Sequence, residues 1–369
     1  MTAHIDSRSV TVKYHSTDKP NNSHLKDSAL PSYSPRMANP KTTFGLTLSN
    51  RALVTKGTPA RELIDMAAAA EKSGMIDAVW VGDSILSKPR LECIPLLGAI
   101  AAHTSRVKLG VACMATIAQR NPVLLALQWA SLDVLSGGRT WLAACMGYPA
   151  SQHPMAAKEL EVMGVQSKER PGRLEEMLQA LRVLWTDEHA SFHGKYYSFD
   201  DVNLLPKPAQ KPCPIYIAGT PRSNQIGEGG VERSLRRIAR YADGWMTNQI
   251  ELAMFQEYLP RLRKMLLEEG RDPNVFKTVL YYGVSVNPDR DQAFRQAKTF
   301  LDAYYQKDFT RQGVEIWTAC GPVNHCVGCI RGFIDAGVDH IAIRPIGDDL
   351  NEQFRIFLRE LLPALTEGG

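Results

Sequence analysis

Residues 213–248, CPIYIAGTPRSNQIGEGGVERSLRRIARYADGWMTN, constrain the fold more than any other stretch of the chain. Residues 214–218 are a short apolar run with Ile and Tyr that stops at Gly219, the pattern of a buried strand entering a turn. Val231, Leu235, Ile238 and Ala242 then recur on one helical face, and Gly-Trp-Met-Thr at 244–247 begins a second strand. Such a strand, loop, helix, strand unit is a crossover. It sets its two strands parallel and opens its first loop at the carboxyl edge of the sheet, where ligands bind. Gly219 and Thr220 fall in that loop, and Gly229 and Gly230 are expected to open the helix with N–H groups available to an anion.

The rest of the chain repeats the unit. Further strands are expected at 43–48, 77–81, 107–114, 140–146, 278–286 and 340–346, with helices near 59–73, 92–102, 252–268, 293–304 and 322–335 between them. The best signposted helix has Asn121 as N-cap, Pro122 in its first turn and Gly137-Gly138 as its stop. Pro260 is expected to kink the helix it occupies. Residues 147–166 read as a long loop of the kind that forms lids. A helix at 173–185 follows, and then 190–202 alternates as a small hairpin outside the main pattern. Eight strands separated by helices, with no shorter repeat, favour a closed (β/α)8 TIM barrel with insertions, including that hairpin before the fifth strand.

Composition narrows the class without naming a partner. The 43 Lys and Arg against 39 Asp and Glu are dispersed, which gives no argument for nucleic acid or a membrane surface. No run reaches the roughly 18 apolar residues of a membrane span, and the expectation is a cytoplasmic protein. Seven scattered cysteines in apolar surroundings, such as 109–114 and 142–146, read as reduced buried thiols. Residues 1–41 are polar and aperiodic, so a disordered leader is expected before a barrel domain at 42–369.

The runs IDAVWVGDSI, LGVACMATIAQRNPVLLALQWASLDVLSGGR, ERPGRLEEMLQALRVLW, FHGKYYSFDDVNLLPKPAQKPCPIYIAG, RRIARYADGWM and AGVDHIAIRPIG together resemble the luciferase-like monooxygenases, TIM-barrel oxidoreductases that use flavin or deazaflavin. The resemblance spans about 42–365. It implies an oxidoreductase whose cofactor lies at the carboxyl face of the barrel. Reduced FMN with O2 is the first expectation, making the chain a monooxygenase of a small organic substrate, supplied by a separate flavin reductase and homo-oligomeric. A deazaflavin coenzyme in hydride transfer is the alternative, and a catalytically silent flavin-binding or partner barrel is a third reading.

Carried over residue by residue, the resemblance implies catalytic roles for Asp83 and Ser84 after the second strand. It implies cofactor contacts at Met114, Ala115 and Thr116 after the third strand and at Gly147 and Tyr148 after the fourth, where relatives often hold a non-prolyl cis peptide. Gly219, Thr220 and Gly230 would take the phosphate. Arg344 interrupts the otherwise apolar last strand, where a buried guanidinium needs a partner, either a cofactor or substrate anion or an internal carboxylate. Two departures stand out. Ser84 occupies a position where many relatives place His, and Ala143 and Cys145 replace glycines of the fourth strand. Cys320, His325, Cys326 and Cys329 have ligand chemistry, but Val323, Val327, Ile330 and Ile334 set a helical stripe that makes them helix-face residues, so no metal is expected. The aromatics Phe192, Tyr196, Tyr197 and Phe199 are read as packing the hairpin onto the barrel.

Overall fold

The computed structural model describes residues 42–366. The expected leader, 1–41, lies outside the described residues. Among the described residues, eleven strands occur in chain order: β1 Thr43–Thr47, β2 Ala78–Val81, β3 Lys108–Met114, β4 Thr140–Ala144, β5 Ala190–His193, β6 Ser198–Val202, β7 Ile215–Ala218, β8 Gly244–Thr247, β9 Lys277–Val286, β10 Thr318–Gly321 and β11 His340–Pro345. Parallel pairing runs β1-β2-β3-β4-β7-β8-β9-β11 and returns from β11 to β1, which closes an eight-stranded barrel. The antiparallel β5-β6 hairpin stands apart, as its alternation implies.

Alternation along each barrel strand divides the core in two. On β2, Val79 and Val81 join the layer between strands and helices, while Ala78 and Trp80 turn into the barrel. The Trp80 ring fills space that neighbouring strands must vacate. A Cβ at Gly110 would lie 2.1 Å from it, and one at Gly45 within 2.7 Å of its indole nitrogen. Trp80 also donates to Nε2 of His340 at 3.1 Å and sits against Trp141, which contacts Tyr216. Burial pulls the His340 ring down to about 3, so it remains neutral and accepts the indole proton. These interior aromatics fill the barrel beneath its carboxyl face.

Local chemistry sets the helix starts. Oδ1 of Asn121 accepts from the N–H groups of Val123 and Leu124 at 3.0 and 3.1 Å, with Pro122 as the first helical residue. Pro260 lies inside the helix Leu252–Glu268, which continues through it.

Four expectations are corrected. Residues 147–166 hold a helix, Pro154–Val162, hidden from the sequence because its buried face is Ala156, Glu159 and Leu160, with a carboxylate in the apolar period. The segment after β7 already turns helical at Ser223, a turn the sequence did not suggest, and a non-helical break at Gly227 (φ 66°) separates it from the longer helix, in whose first turn Gly229 and Gly230 stand as expected. The short β10 pairs with the carboxyl end of β9 and was not expected, since its sequence, Thr-Ala-Cys-Gly, has no β-branched apolar residue to mark a strand. Finally, Cys113 and Cys145 are joined by a disulfide between neighbouring strand ends, with Cα atoms 5.9 Å apart, while the other five cysteines are free. Apolar flanks conceal the pair because the closeness arises from the register of β3 on β4, not from sequence spacing.

Candidate active site

The carboxyl ends of the strands surround a cavity of about 420 Å³. Its inner wall is largely apolar, with Ala112, Cys113, Ala115, Ile217, Ala218 and Met246. One end is polar and cationic, where Thr220, Arg222, Gln225, Ser234 and Arg237 meet. A flat ring system with an anionic tail matches that division: apolar wall for the ring, backbone amides and guanidinium groups for the tail.

The tail end is rigidly built. Trp245 donates to the Gly219 carbonyl at 2.8 Å, and the Thr220 hydroxyl bonds Thr247 at 2.7 Å and the Asn248 carbonyl. A Cβ placed on Gly219 would meet nothing within 4 Å, so the glycine leaves an open cradle. Gly147 is closed instead: at φ 72°, its Cβ would meet the Ala115 carbonyl at 2.8 Å, which locks the ends of β3 and β4 together.

Of the residues implied for the site, Asp83, Ala115, Gly147, Tyr148, Gly219 and Thr220 line the cavity, whereas Ser84, Met114, Thr116, Gly230 and Arg344 do not. Asp83 is saturated. One oxygen accepts from the Thr116 amide and hydroxyl at 2.9 and 2.7 Å, and the other accepts from Arg120 at 2.9 Å. The carboxylate therefore ties the end of β3 to the loop after β2. Ser84 bonds Ser87 at 2.8 Å and Glu159 at 3.3 Å, inside that loop. Gly230 packs on Ile226. The non-prolyl cis peptide lies at Ala112–Cys113 in β3, one strand before the position implied.

Asp83, Glu92 and Cys93 are the one cluster of metal-ligand type among the described residues, but Arg120 bonds both carboxylates at 2.9 Å and supplies the positive charge there. The Cys326 thiol donates to the Ala319 and Gly321 carbonyls, and Cys329 lies 3.7 Å from His325 Nε2.

Two features escaped the sequence. Glu159, from the helix Pro154–Val162, accepts the amides of Ile85, Leu86 and Ser87 at 3.0, 2.6 and 2.9 Å and so fastens that helix to the loop after β2. Burial raises its carboxyl, but these amides and Gln119 outweigh burial and leave it below the usual range. The second is a cationic and aromatic group at Arg51, Lys88, Arg90, Tyr304, Tyr305 and Arg344. The Lys88 ammonium lies 5.0 Å from the Tyr148 ring centre and 4.8 Å from that of Tyr305. Arg344 is held behind this wall, stacked on Tyr304 at 4.6 Å and Tyr281 at 5.1 Å. No spacing rule joins residues 51, 88, 304 and 344.

A family model described as luciferase-like monooxygenase matches residues 42–318. The chain belongs to the luciferase-like monooxygenase family. Among its relatives, an F420-dependent glucose-6-phosphate dehydrogenase of Nakamurella multipartita is 27% identical, over 82% of this chain and 92% of that protein. A second protein of the same description, from Kineococcus radiotolerans, is 25% identical over 87% of this chain and 97% of its own. In structure, this luciferase-like chain resembles an F420-dependent secondary alcohol dehydrogenase in complex with an F420-acetone adduct (TM-score 0.72, 21% identity, 88% of this chain and 99% of that one). It also resembles the long-chain alkane monooxygenase LadA (TM-score 0.68, 16% identity, 89% and 91%). The luciferase-like barrel thus accounts for the sheet order and for a cavity at the carboxyl ends of the strands.

Proposed function

We propose that the chain is a deazaflavin-dependent oxidoreductase that moves hydride between the cofactor and a small hydroxyl or carbonyl substrate. The observation that carries this reading is the match, over 82% and 87% of this chain and 92% and 97% of the relatives, to proteins described as F420-dependent glucose-6-phosphate dehydrogenases. It replaces reduced FMN with O2 as the first expectation. The cavity supports it, since the apolar wall and the cationic end suit a flat ring with a phosphate-bearing tail.

When bound, a deazaflavin supplies a two-electron hydride carrier that reacts poorly with O2. The protein's own residues do the rest. Ala112, Ala115, Ala218 and Met246 would keep water from the ring, and Gly219, Thr220 and Arg222 would hold the anionic tail, with Arg237, paired to Glu175, beside it. The helix Pro154–Val162, pinned by Glu159, fixes the loop that brings Lys88 and Arg90 to the cavity.

Anaerobic titration of the purified chain with oxidised F420 and, separately, with FMN tests the reading. Saturable binding of F420 at least tenfold tighter than FMN is expected. Tighter FMN binding, with O2 consumed once the flavin is reduced, would return the chain to the monooxygenase reading.

A further inference from the structure

The Ser84 hydroxyl is bonded to Ser87 and Glu159 outside the cavity lining and supplies no base there. Another group in the cavity has the surroundings a base needs. The Tyr304 hydroxyl accepts from Nη1 of Arg90 at 2.9 Å and from Nη2 of Arg344 at 3.4 Å. Arg51 adds its guanidinium 5.4 Å from the ring centre and donates to the Tyr304 carbonyl. Lys88 reaches the same group from the loop after β2, over the neighbouring Tyr305 ring.

Among the described residues, none of these four cations forms an ion pair with a carboxylate, and Nε of Arg51 and of Arg344 is buried without a partner. The acids around this loop are engaged elsewhere: Asp83 with Thr116 and Arg120, Glu92 with Arg120, and Glu159 with the amides of Ile85, Leu86 and Ser87. Buried positive charge in this density needs a counter-anion, and Tyr304 is the group on which the cations converge. The cluster is built in: a Cβ at Gly82 would lie 2.0 Å from Nη1 of Arg90, so the glycine clears the arginine's path to the phenol.

We propose that the Tyr304 oxygen, held as phenolate by Arg90, Arg344, Arg51 and Lys88, takes the proton of a hydroxyl-bearing substrate as its carbon gives up hydride. The step rests on the hydride-transfer reading above. The substrate C–H bond breaks with its electron pair going to the oxidised deazaflavin, the O–H bond breaks with its proton going to Tyr304, and C=O forms. In reverse, the neutral phenol returns the proton to the carbonyl oxygen.

The three clustered phenols divide accordingly. Burial raises all of them, but for Tyr304 the Arg344, Arg90 and Lys88 charges prevail and pull it down to about 6, while Tyr281 and Tyr305 are pushed up. Burial, reinforced by Arg90, Arg51 and Arg344 and opposed by Tyr304, brings Lys88 down to about 8, so Lys88 is still charged where the phenol titrates. Of the remaining cations at the cavity, Lys307 is engaged with Phe309 at 5.5 Å.

The test has two readouts. An ultraviolet difference titration of the full chain without cofactor should show one phenolate already formed near neutral pH. That phenolate should be missing in Tyr304→Phe and appear only at higher pH in Arg90→Gln, a variant that keeps the phenol should Tyr304→Phe fail to fold. With F420 bound, single-turnover oxidation of 2-propanol or glucose 6-phosphate should rise with pH to a plateau above the phenol's midpoint and fall about 100-fold or more in Tyr304→Phe. Phenolate signals that are the same in all three proteins, or an unchanged rate in Tyr304→Phe, would overturn the assignment of Tyr304 alone. A wild-type chain that binds F420 but oxidises neither alcohol would overturn the hydroxyl substrate class, and one that does not bind F420 at all would overturn the hydride-transfer reading and this step with it.

Discussion

Two glycines show how one absent methyl group acts differently by what it faces. At Gly110 the obstacle is the Trp80 ring, which would lie 2.1 Å from an added Cβ and is enclosed on every side by the barrel. Gly110→Ala is therefore expected to destabilise by about 1–3 kcal/mol or more, read in denaturant unfolding. At Gly82 the obstacle is the tip of a long side chain, which swings aside. Gly82→Ala should lose the charge-assisted Arg90 hydrogen bond to Tyr304, about 1.5–3 kcal/mol, and move the Tyr304 titration back toward an ordinary phenol near 10. A third residue-scale expectation concerns sulfur: alkylation of the denatured chain without reductant should label five of its seven cysteines, leaving Cys113 and Cys145, and labelling of all seven would remove the bridge. At this scale the sequence was legible where chemistry is local. Asn121 caps its own helix within three residues. Tyr304 was not legible, because its partners come from positions 51, 90 and 344 and only the closed barrel brings them together.

At the scale of elements, the helix Pro154–Val162 and the loop after β2 act as one piece through Glu159. The sequence indicated an irregular lid over this face, but a buried carboxylate in place of an apolar residue masked the helix. Because the Glu159 carboxyl is held below its usual range when folded, its contribution is fully present above the unfolded value of about 4.3 and is lost as pH falls through the lower folded value. Amide exchange in 84–88 and 154–162 should therefore accelerate together in acid, and Glu159→Gln should accelerate both segments at neutral pH. Exchange in only one segment would separate them. The turn after β7 carries the other element-scale expectation. Gly219→Val places a branched side chain in the open cradle, so affinity for F420 should fall by up to about 2 kcal/mol. Affinity for the phosphate-free deazaflavin chromophore should hardly change. The strand-end glycine was legible here; the helix break at Gly227 was not, since Gly227, Gly229 and Gly230 look alike in sequence and only packing on Ile226 distinguishes them.

For the molecule as a whole, all eight barrel strands were legible because each is an apolar run bounded by turn residues and spaced by a helix, and parallel pairing leaves few ways to close them. The cofactor was less legible. FMN and a deazaflavin share a flat tricyclic shape and a phosphate, so the same glycines and apolar wall serve either, and the preference for F420 comes from relatives matched over more than nine-tenths of their own length. What separates the two chemistries is the fate of the electrons, and this is the most direct measurement. The chain is mixed anaerobically with oxidised F420 and an alcohol deuterated at the carbinol carbon, then the reduced cofactor is analysed by mass. One deuterium is expected on F420 per carbonyl formed, at a rate that O2 does not alter. Oxygen incorporated into the product from O2 with reduced FMN, and no deuterium on F420, would contradict hydride transfer.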